Sequence, residues 1–149
     1  MHFALAAALI VLDQLVKQWV VATYPLRGAG QYIGLGFRFT YEQNTGAAFS
    51  LFQGNPYALG TLSAVVSTAI LTFLIVRRKT LSTLQRYALA SILSGAIGNM
   101  LDRFRLGYVV DFIHFKIPGF NFAVFNIADS CVVIGAALLI GLGLFQKKG

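Results

Sequence analysis

Carboxylate residues that could do chemistry gather in the second half of this chain. Asp102, Asp111 and Asp129 are three of only five acidic residues, and strongly apolar stretches surround them. Ionisable side chains are costly in lipid and usually face a protein interior or a water-filled cavity. Asp111 and Asp129 lie too far apart in sequence to share one helical face. We therefore expect the rest of the chain to be a scaffold that brings these two residues together.

Two facing carboxylates support the chemistry of an aspartic peptidase. Like charges close together do not both ionise easily, so the pair holds one proton and its two pKa values separate. The ionised partner can activate water as a general base, and the protonated partner can donate to the carbonyl oxygen and later assist the leaving amine. Such a site needs no cofactor. One cysteine, Cys131, and two distant histidines, His2 and His114, also predict no metal centre.

The composition is typical of an integral membrane protein. The chain has 149 residues, of which 57% are apolar and 11% charged, and its mean hydropathy is +0.72. A soluble domain carries about 25% charged residues. The length fits a single membrane-embedded domain, residues 1–149. The net charge is +7, but many basic residues adjoin apolar runs. We therefore expect contacts with membrane lipids and no nucleic acid.

Four apolar stretches predict transmembrane helices, at about residues 3–24, 57–76, 84–103 and 122–145. Basic clusters follow the second and the fourth stretch, at 77–79 (RRK) and 147–148 (KK). Such clusters mark the cytoplasmic side of a membrane. We therefore expect both termini in the cytoplasm and the segments 25–56 and 104–121 on the outer face.

The first outer segment predicts a small β-sheet. Pro25 and several glycines break any helix there, and residues 37–42 (FRFTYE) alternate apolar and polar side chains with the period of a strand. Residues 43–50 predict a turn leading back to the membrane, in which Asn44 fits either a turn or the site. The predicted fold is thus an all-α membrane protein, with four transmembrane helices and a small extracytoplasmic β-sheet.

These spans bring polar residues to one depth. Lys17 lies seven residues before the outer end of the first helix, and Asp129 lies seven residues after the predicted start of the fourth. Both are then about 10 Å beneath the outer surface, and a loop carrying Asp111 lies just above. Asp13 and Lys17 are four residues apart and can form an ion pair, which by itself would explain both charges.

The third and fourth helices each present polar side chains on one face. Spacings of three or four residues place side chains on the same face of a helix. The residues concerned are Asn99, Asp102 and Arg103 on the third helix and Asn126 and Asp129 on the fourth. Asp102 could anchor Arg103 or Lys17, and the asparagines could orient carboxylates.

At these residues the sequence resembles the lipoprotein signal peptidases, the bacterial signal peptidase II family. Asp13 and Lys17 match the motif of the family's first helix. The resemblance covers nearly the whole chain in the same order. The other matching blocks are 44–50 (NTGAAFS), 98–103 (GNMLDR), 107–112 (GYVVDF) and 125–130 (FNIADS).

The resemblance implies an aspartic endopeptidase of the bacterial inner membrane with its active site near the outer leaflet. Its substrate would be a diacylglyceryl-modified prolipoprotein, cut just before the lipidated cysteine. Inhibition by globomycin-type compounds and a monomeric state are expected. The implied roles are catalysis for Asp111 and Asp129, site contacts for Asn44, Asn99, Arg103 and Asn126, and structural support for Asp13, Lys17 and Asp102.

Three other interpretations remain open at the level of the sequence. A proton-coupled carrier could use buried charges as a relay, but no internal repeat is evident. A non-catalytic assembly subunit could pack small residues such as Gly135 against a partner, and Asp111→Asn would then be harmless. A serine hydrolase would use Ser50 or Ser130 with His114, without a nucleophile elbow in the sequence.

Overall fold

The computed structural model describes residues 1–46 and 55–146. Residues 47–50 of the predicted turn, which include Ser50, and the basic pair Lys147-Lys148 lie outside this described part. In chain order the elements are α1 (His2–Thr23), β1 (Gln31–Gly34), β2 (Phe37–Asn44), α2 (Pro56–Val76), α3 (Thr83–Leu106), β3 (Val109–Ile117), β4 (Phe120–Asn121) and α4 (Ile127–Gln146).

Three helices of the described residues are long and apolar enough to cross a membrane. They are α1, α2 and the Ile127–Leu144 part of α4. Helix α3 is 24 residues long, which corresponds to about 36 Å, but its polar and charged residues make it less apolar than the others. The predicted membrane helices are therefore confirmed for three of the four spans.

Helix α3 is the element that the other helices pack around. It contacts α1, α2 and α4, so much of its surface faces protein. Its start is fixed by a capping box, in which Ser82 and Gln85 each bond the backbone N–H of the other. It ends at Gly107, which has a φ of +77°, a conformation that favours glycine. Residues 104–106, predicted as part of the outer segment, therefore belong to the helix.

The predicted start of the fourth span at residue 122 is wrong. Helix α4 begins at Ile127, and Phe125 instead pairs with β3: its N–H donates to the carbonyl of Ile113 at 3.0 Å, and its carbonyl accepts from the N–H of Ile113 at 2.7 Å. Apolar residues in this stretch pack against the sheet and do not continue the helix. Asp129 consequently lies in the first turn of α4, and not two turns inside it as predicted.

The strands form one small antiparallel sheet in the order β1-β2-β3-β4. The alternation predicted at residues 37–42 is confirmed as the start of β2, which extends to Asn44. Asn44 therefore lies at the end of a strand, not within a turn. Asp111 lies on β3 opposite Glu42, so the predicted loop around Asp111 is wrong as well. A strand holds its backbone by ladder hydrogen bonds, which gives Asp111 a fixed position.

A buried apolar cluster joins the sheet to α1. Its members are Val20 of α1, Tyr41 of β2, and Val110 and Phe112 of β3. Val110 and Phe112 lie on either side of Asp111 in sequence, and both are almost completely buried. Packing on both sides of Asp111 therefore fixes this part of β3 against the helices.

Close packing of α3 on α4 depends on glycines. A Cβ atom on Gly95 would collide with the carbonyl oxygen of Ala128, and one on Gly135 would lie 2.5 Å from the carbonyl oxygen of Ala88. Small residues allow helix backbones to approach closely, which is a principal source of helix association in membranes.

We predict that Gly135→Ala lowers the free energy of unfolding by roughly 1–3 kcal/mol, because the added methyl group separates the two helices. Thermal unfolding in a mild detergent measures the effect. The matched control is Gly141→Ala on the same helix, where a Cβ atom would meet nothing within 4 Å. That change should be neutral or stabilise the helix by up to about 1 kcal/mol. Equal melting temperatures for the two variants would contradict the close α3–α4 contact.

Candidate active site

A buried lysine forms the base of the site. The ammonium of Lys17 lies 2.8 Å from Asp13 Oδ2 and 2.9 Å from Asp102 Oδ2, and it donates a hydrogen bond to Asn99 Oδ1 at 2.9 Å. An ammonium has three N–H donors, and these contacts occupy all three. The predicted Asp13–Lys17 ion pair is confirmed, and of the two partners predicted for Asp102 the structure selects Lys17.

The two carboxylates bound to Lys17 also hold backbone groups of other elements. Asp13 Oδ1 accepts the N–H of Ala128 in the first turn of α4 at 2.9 Å. Asp102 Oδ2 accepts the N–H of Val110 in β3 at 3.1 Å. The first N–H groups of a helix have no partner within it, so Asp13 satisfies a donor that would otherwise be buried alone.

Asp111 receives amide hydrogen bonds on both oxygens. Asn44 Nδ2 donates to its Oδ2 at 3.0 Å, and Asn126 Nδ2 donates to its Oδ1 at 2.7 Å. Asn44 is at the end of β2, next to β3 in the sheet. The sheet and the start of α4 together therefore fix the Asp111 carboxylate.

Asp129 is fixed by the cap of its own helix and by α3. Asn126 Oδ1 accepts the N–H of Asp129 at 2.8 Å, and Asp129 Oδ2 accepts the N–H of Asn126 at 3.3 Å. This reciprocal pair has the form of a capping box. Asn99 Nδ2 donates to Asp129 Oδ1 at 2.7 Å, so α3 supplies the second anchor.

Asn126 connects the two candidate catalytic carboxylates. Its side chain donates to Asp111, while its backbone N–H and its side-chain oxygen bind Asp129. Asn126 is 0% exposed. Its Nδ2 also lies 3.2 Å from Asn99 Oδ1, so the amides of α3 and α4 form one network. The structure thus brings together the two aspartates that the sequence could not place on one face.

The electrostatics of the site favour a proton on the pair. Burial, followed by the nearby negative charge of Asp129, raises the pKa of Asp111 to about 7, although the amide hydrogen bonds from Asn44 and Asn126 act in the opposite direction. Desolvation and a like charge both disfavour the ionised form of a carboxyl group. Asp111 is therefore poised to exchange a proton near neutral pH.

Arg103 lies at the edge of this network. It is buried, its Nη2 donates to the carbonyl oxygen of Gly46 at 3.3 Å, and its Nη1 donates to that of Asn99 at 3.4 Å. Its Nε has no hydrogen-bond partner among the residues described. Arg103 therefore brings a positive charge toward the carboxylates. The Nε–H group, which is unpaired among the residues described, indicates a further hydrogen-bond acceptor.

The structure adds a residue that sequence reasoning missed. Gln14 donates to Asp102 Oδ1 at 2.9 Å and to the carbonyl oxygen of Gly98 at 3.2 Å, so it helps to hold Asp102. Its polarity inside an apolar stretch, next to Asp13, was the available signal.

Tyr108 is a second residue that sequence reasoning missed, although its raised pKa makes it a poor proton donor. A hydrogen bond with Tyr41 at 3.2 Å raises the pKa of Tyr108 to about 12, so this phenol stays protonated at neutral pH.

The residues considered for a serine hydrolase are not paired. Ser130 donates to the carbonyl oxygen of Asn126 at 3.0 Å, whereas His114 lies 2.7 Å from Asn121 Oδ1 on the sheet. In the described part of the chain they share no hydrogen bond, so neither activates the other. Within the same ranges no three His, Cys, Asp or Glu side chains are grouped to hold a metal ion.

Comparison with known proteins shows which family this chain is similar to. A family model described as signal peptidase (SPase) II matches residues 5–145. The chain belongs to this family. A lipoprotein signal peptidase from Trichormus variabilis is 46% identical over 137 residues, which cover 92% of this chain and 84% of that protein. One from Streptococcus thermophilus is 44% identical over 142 residues, which cover 95% and 91% of the two chains.

Two solved structures share the fold. A bacterial membrane enzyme determined by the in meso method at 2.3 Å resolution superposes with a TM-score of 0.89 at 28% identity, over 99% of this chain and 89% of the other. A second, determined at 1.9 Å, gives a TM-score of 0.83 at 29% identity, over 96% and 92%. Family membership and the apolar helices make this chain a protease of the bacterial inner membrane.

We predict that Lys17→Met destabilises this signal peptidase II homologue by roughly 3–5 kcal/mol, since it leaves two buried carboxylates without their cation. Thermal unfolding in detergent measures the loss. Lys116→Met is the matched control, because the side chain of Lys116 is exposed; it should change the stability by less than about 1 kcal/mol. Similar melting temperatures for both variants would show that the Lys17 cluster does not support the fold.

Proposed function

We propose that this chain removes the signal peptide from diacylglyceryl-modified prolipoproteins, cutting just before the lipidated cysteine, by water attack at an aspartate pair. Its relatives are lipoprotein signal peptidases, which supports the substrate class. The observation that carries the mechanism is the position of Asn126, which binds both Asp111 and Asp129. A buried amide residue between the buried carboxylate of Asp111 and the half-buried carboxylate of Asp129 supports a pair that shares a proton.

The mechanism uses the two protonation states of this pair. The ionised carboxylate takes a proton from a water molecule, and the oxygen of that water attacks the scissile carbonyl carbon. The protonated carboxyl group donates to the carbonyl oxygen as the tetrahedral intermediate forms. Collapse of the intermediate breaks the C–N bond: a proton from the pair passes to the leaving amine, and a hydroxyl proton of the intermediate returns to the pair, which thereby regains its single proton. The elevated pKa of Asp111, about 7, supports one retained proton at neutral pH.

The surrounding residues serve this pair in three ways. Asn44, Asn99 and Asn126 orient the carboxylates through neutral donors, so the geometry is set without an added charge. Arg103 supplies a positive charge close to the pair. The group formed by Asp13, Lys17 and Asp102 supports the site by holding the starts of α4 and β3.

The same proposal includes the placement of the chain in the membrane. We infer that residues 1–149 form one domain, that α3 also spans the bilayer, that both termini are cytoplasmic and that the site lies near the outer leaflet. The contacts of α3 with the three apolar helices support its insertion. Exposed aromatic residues on and beside the sheet fit the membrane interface: Tyr32, Phe37, Phe120 and Phe122. A monomer in contact with membrane lipids, and inhibition by globomycin-type compounds, belong to this proposal.

We predict that the purified protein cleaves a diacylglyceryl-modified prolipoprotein and that Asp111→Asn and Asp129→Asn each lower kcat by at least about 10³-fold, because neither a proton donor nor a base can be replaced by an amide. Mass spectrometry of the products identifies the bond that is cut. Every reaction contains a metal chelator. The matched control is Glu42→Gln, which makes the same change on the residue opposite Asp111 in the sheet, and it should keep activity within about threefold.

Full activity of either aspartate variant, with the wild type active, would overturn the aspartate pair while leaving the peptidase assignment intact. An inert wild type on a verified substrate would remove the peptidase assignment and favour a carrier or an assembly subunit. Melting temperatures of all variants show whether lost activity reflects lost folding.

We also predict an alkaline limb near pH 7 in the pH dependence of kcat. Below that pH Asp111 keeps its proton, and above it both carboxylates become charged and the proton donor is lost. Asn44→Ala should move the limb to higher pH, because the amide hydrogen bond of Asn44 lowers the pKa of Asp111 and its removal raises it.

The control for this shift is Gln43→Ala, since Gln43 bonds Tyr41 and not a carboxylate. Its limb should coincide with that of the wild type. A limb that moves to lower pH in Asn44→Ala, or moves equally in both variants, would contradict the assignment of the limb to Asp111.

A further inference from the structure

A cavity with mostly apolar walls and a few polar groups lies far from the aspartates, between the first residues of α1 and α3. Its volume is about 340 Å³, and its lining consists of Met1, His2, Thr83, Arg86 and Tyr87. His2 is eleven residues before Asp13 and Arg86 sixteen before Asp102, which corresponds to about 16 and 24 Å along the helices. The cavity is therefore separate from the proposed active site.

Two residues that line this cavity each have a buried nitrogen without a hydrogen-bond partner in the described part of the chain. Arg86 Nε and His2 Nε2 are both inaccessible to solvent and have no hydrogen-bond partner within residues 1–46 and 55–146. Arg86 Nη2 donates to Thr83 Oγ1 at 3.0 Å, which fixes the guanidinium in the wall of the cavity. Buried polar groups almost always have a partner, so the two nitrogens indicate a ligand that accepts hydrogen bonds.

In the part of the chain that the structure describes, no acidic side chain lines this cavity. All five acidic residues lie elsewhere: Asp13, Glu42, Asp102, Asp111 and Asp129. The cavity residues closest to them in sequence are still about 16 Å away along a helix, which is twice the screening length of about 8 Å at physiological ionic strength. Arg77, Arg78 and Lys79 precede α3 and add further positive charge. The charge of this region must be balanced from outside the chain.

We propose that this cavity binds a phosphate-bearing anion, and that in the membrane this is the headgroup of an anionic phospholipid. A guanidinium matches phosphate oxygens in geometry and charge. The volume corresponds to roughly ten water molecules, which leaves room for a glycerol unit beside the phosphate. Met1 and Tyr87 supply less polar walls on which the glycerol and the start of the acyl chains can pack. The proposal does not depend on the peptidase mechanism.

Lipid binding to the intact protein in neutral detergent tests this site, because no charged membrane surface is present there. Native mass spectrometry measures the dissociation constant of phosphatidylglycerol, with phosphatidylcholine as the uncharged comparison. Arg86→Gln should weaken phosphatidylglycerol binding about tenfold or more, the usual effect of losing a charged hydrogen bond. Arg78→Gln makes the same change at an exposed position outside the cavity, and should stay within about twofold.

His2→Ala provides a second variant of the cavity. It is needed if a lowered melting temperature in phosphatidylcholine shows that Arg86→Gln disturbs folding. It should weaken phosphatidylglycerol binding about threefold or more, since it removes one neutral or partly charged hydrogen bond. A weakening in His2→Ala but not in Arg78→Gln supports the cavity even if Arg86→Gln does not fold.

Inorganic phosphate distinguishes the two sources of the anion. If millimolar phosphate raises the melting temperature of the wild type but not of Arg86→Gln, and the two lipids bind equally, the ligand is a soluble phosphate in the same site. If Arg86→Gln, His2→Ala and Arg78→Gln all bind phosphatidylglycerol alike, or if neither anion binds the wild type, the site does not exist.

Discussion

The buried ammonium of Lys17 is the interaction on which the rest of this structure depends. It forms ion pairs with the carboxylates of Asp13 and Asp102. Each of these carboxylates also accepts a hydrogen bond from a backbone N–H of another element, α4 for Asp13 and β3 for Asp102. Buried charges are tolerated only when they are paired and their remaining hydrogen-bonding groups are satisfied. Removal of the cation would therefore disturb α1, α3, α4 and β3 together, although it is a single side chain.

The backbone groups that this cluster binds lie next to the two candidate catalytic residues in sequence. Asp102 holds the N–H of Val110, which precedes Asp111, and Asp13 holds the N–H of Ala128, which precedes Asp129. Each aspartate thus follows a residue whose backbone is held by a buried charge. The carboxylates themselves accept only neutral amide and backbone donors in the described part of the chain. In the proposed mechanism, this division between supporting charges and reacting charges lets a proton move within the pair without disturbing the fold.

Local spacing was sufficient to predict the features that depend on neighbouring residues. The Asp13–Lys17 pair follows from a four-residue interval, and the start of β2 follows from an alternation of side chains. The start of α4 was missed because residues 122–125 (FAVF) are as apolar as a membrane helix, and their pairing with β3 is a long-range contact. The interval between Asn126 and Asp129 carried the correct signal, since a capping residue three positions before an acidic one marks a helix start. Asp111 was assigned to a loop although residues 109–117 (VVDFIHFKI) are rich in β-branched and aromatic residues.

Helix α3 shows that a helix packed among apolar helices can itself be less apolar than they are. A helix that faces lipid must be apolar around its surface, whereas one enclosed by three others can carry amides and charges toward the protein interior. Asn99 and Asp102 lie on α3 and contact groups from α1 and α4. The helix that contributes most to the network is therefore the one that departs furthest from the composition of a membrane span. Under the proposed function this departure is expected, because a polar site among apolar helices must be built on some helix, and a polar stretch packed against three apolar helices is the place to look for such a site.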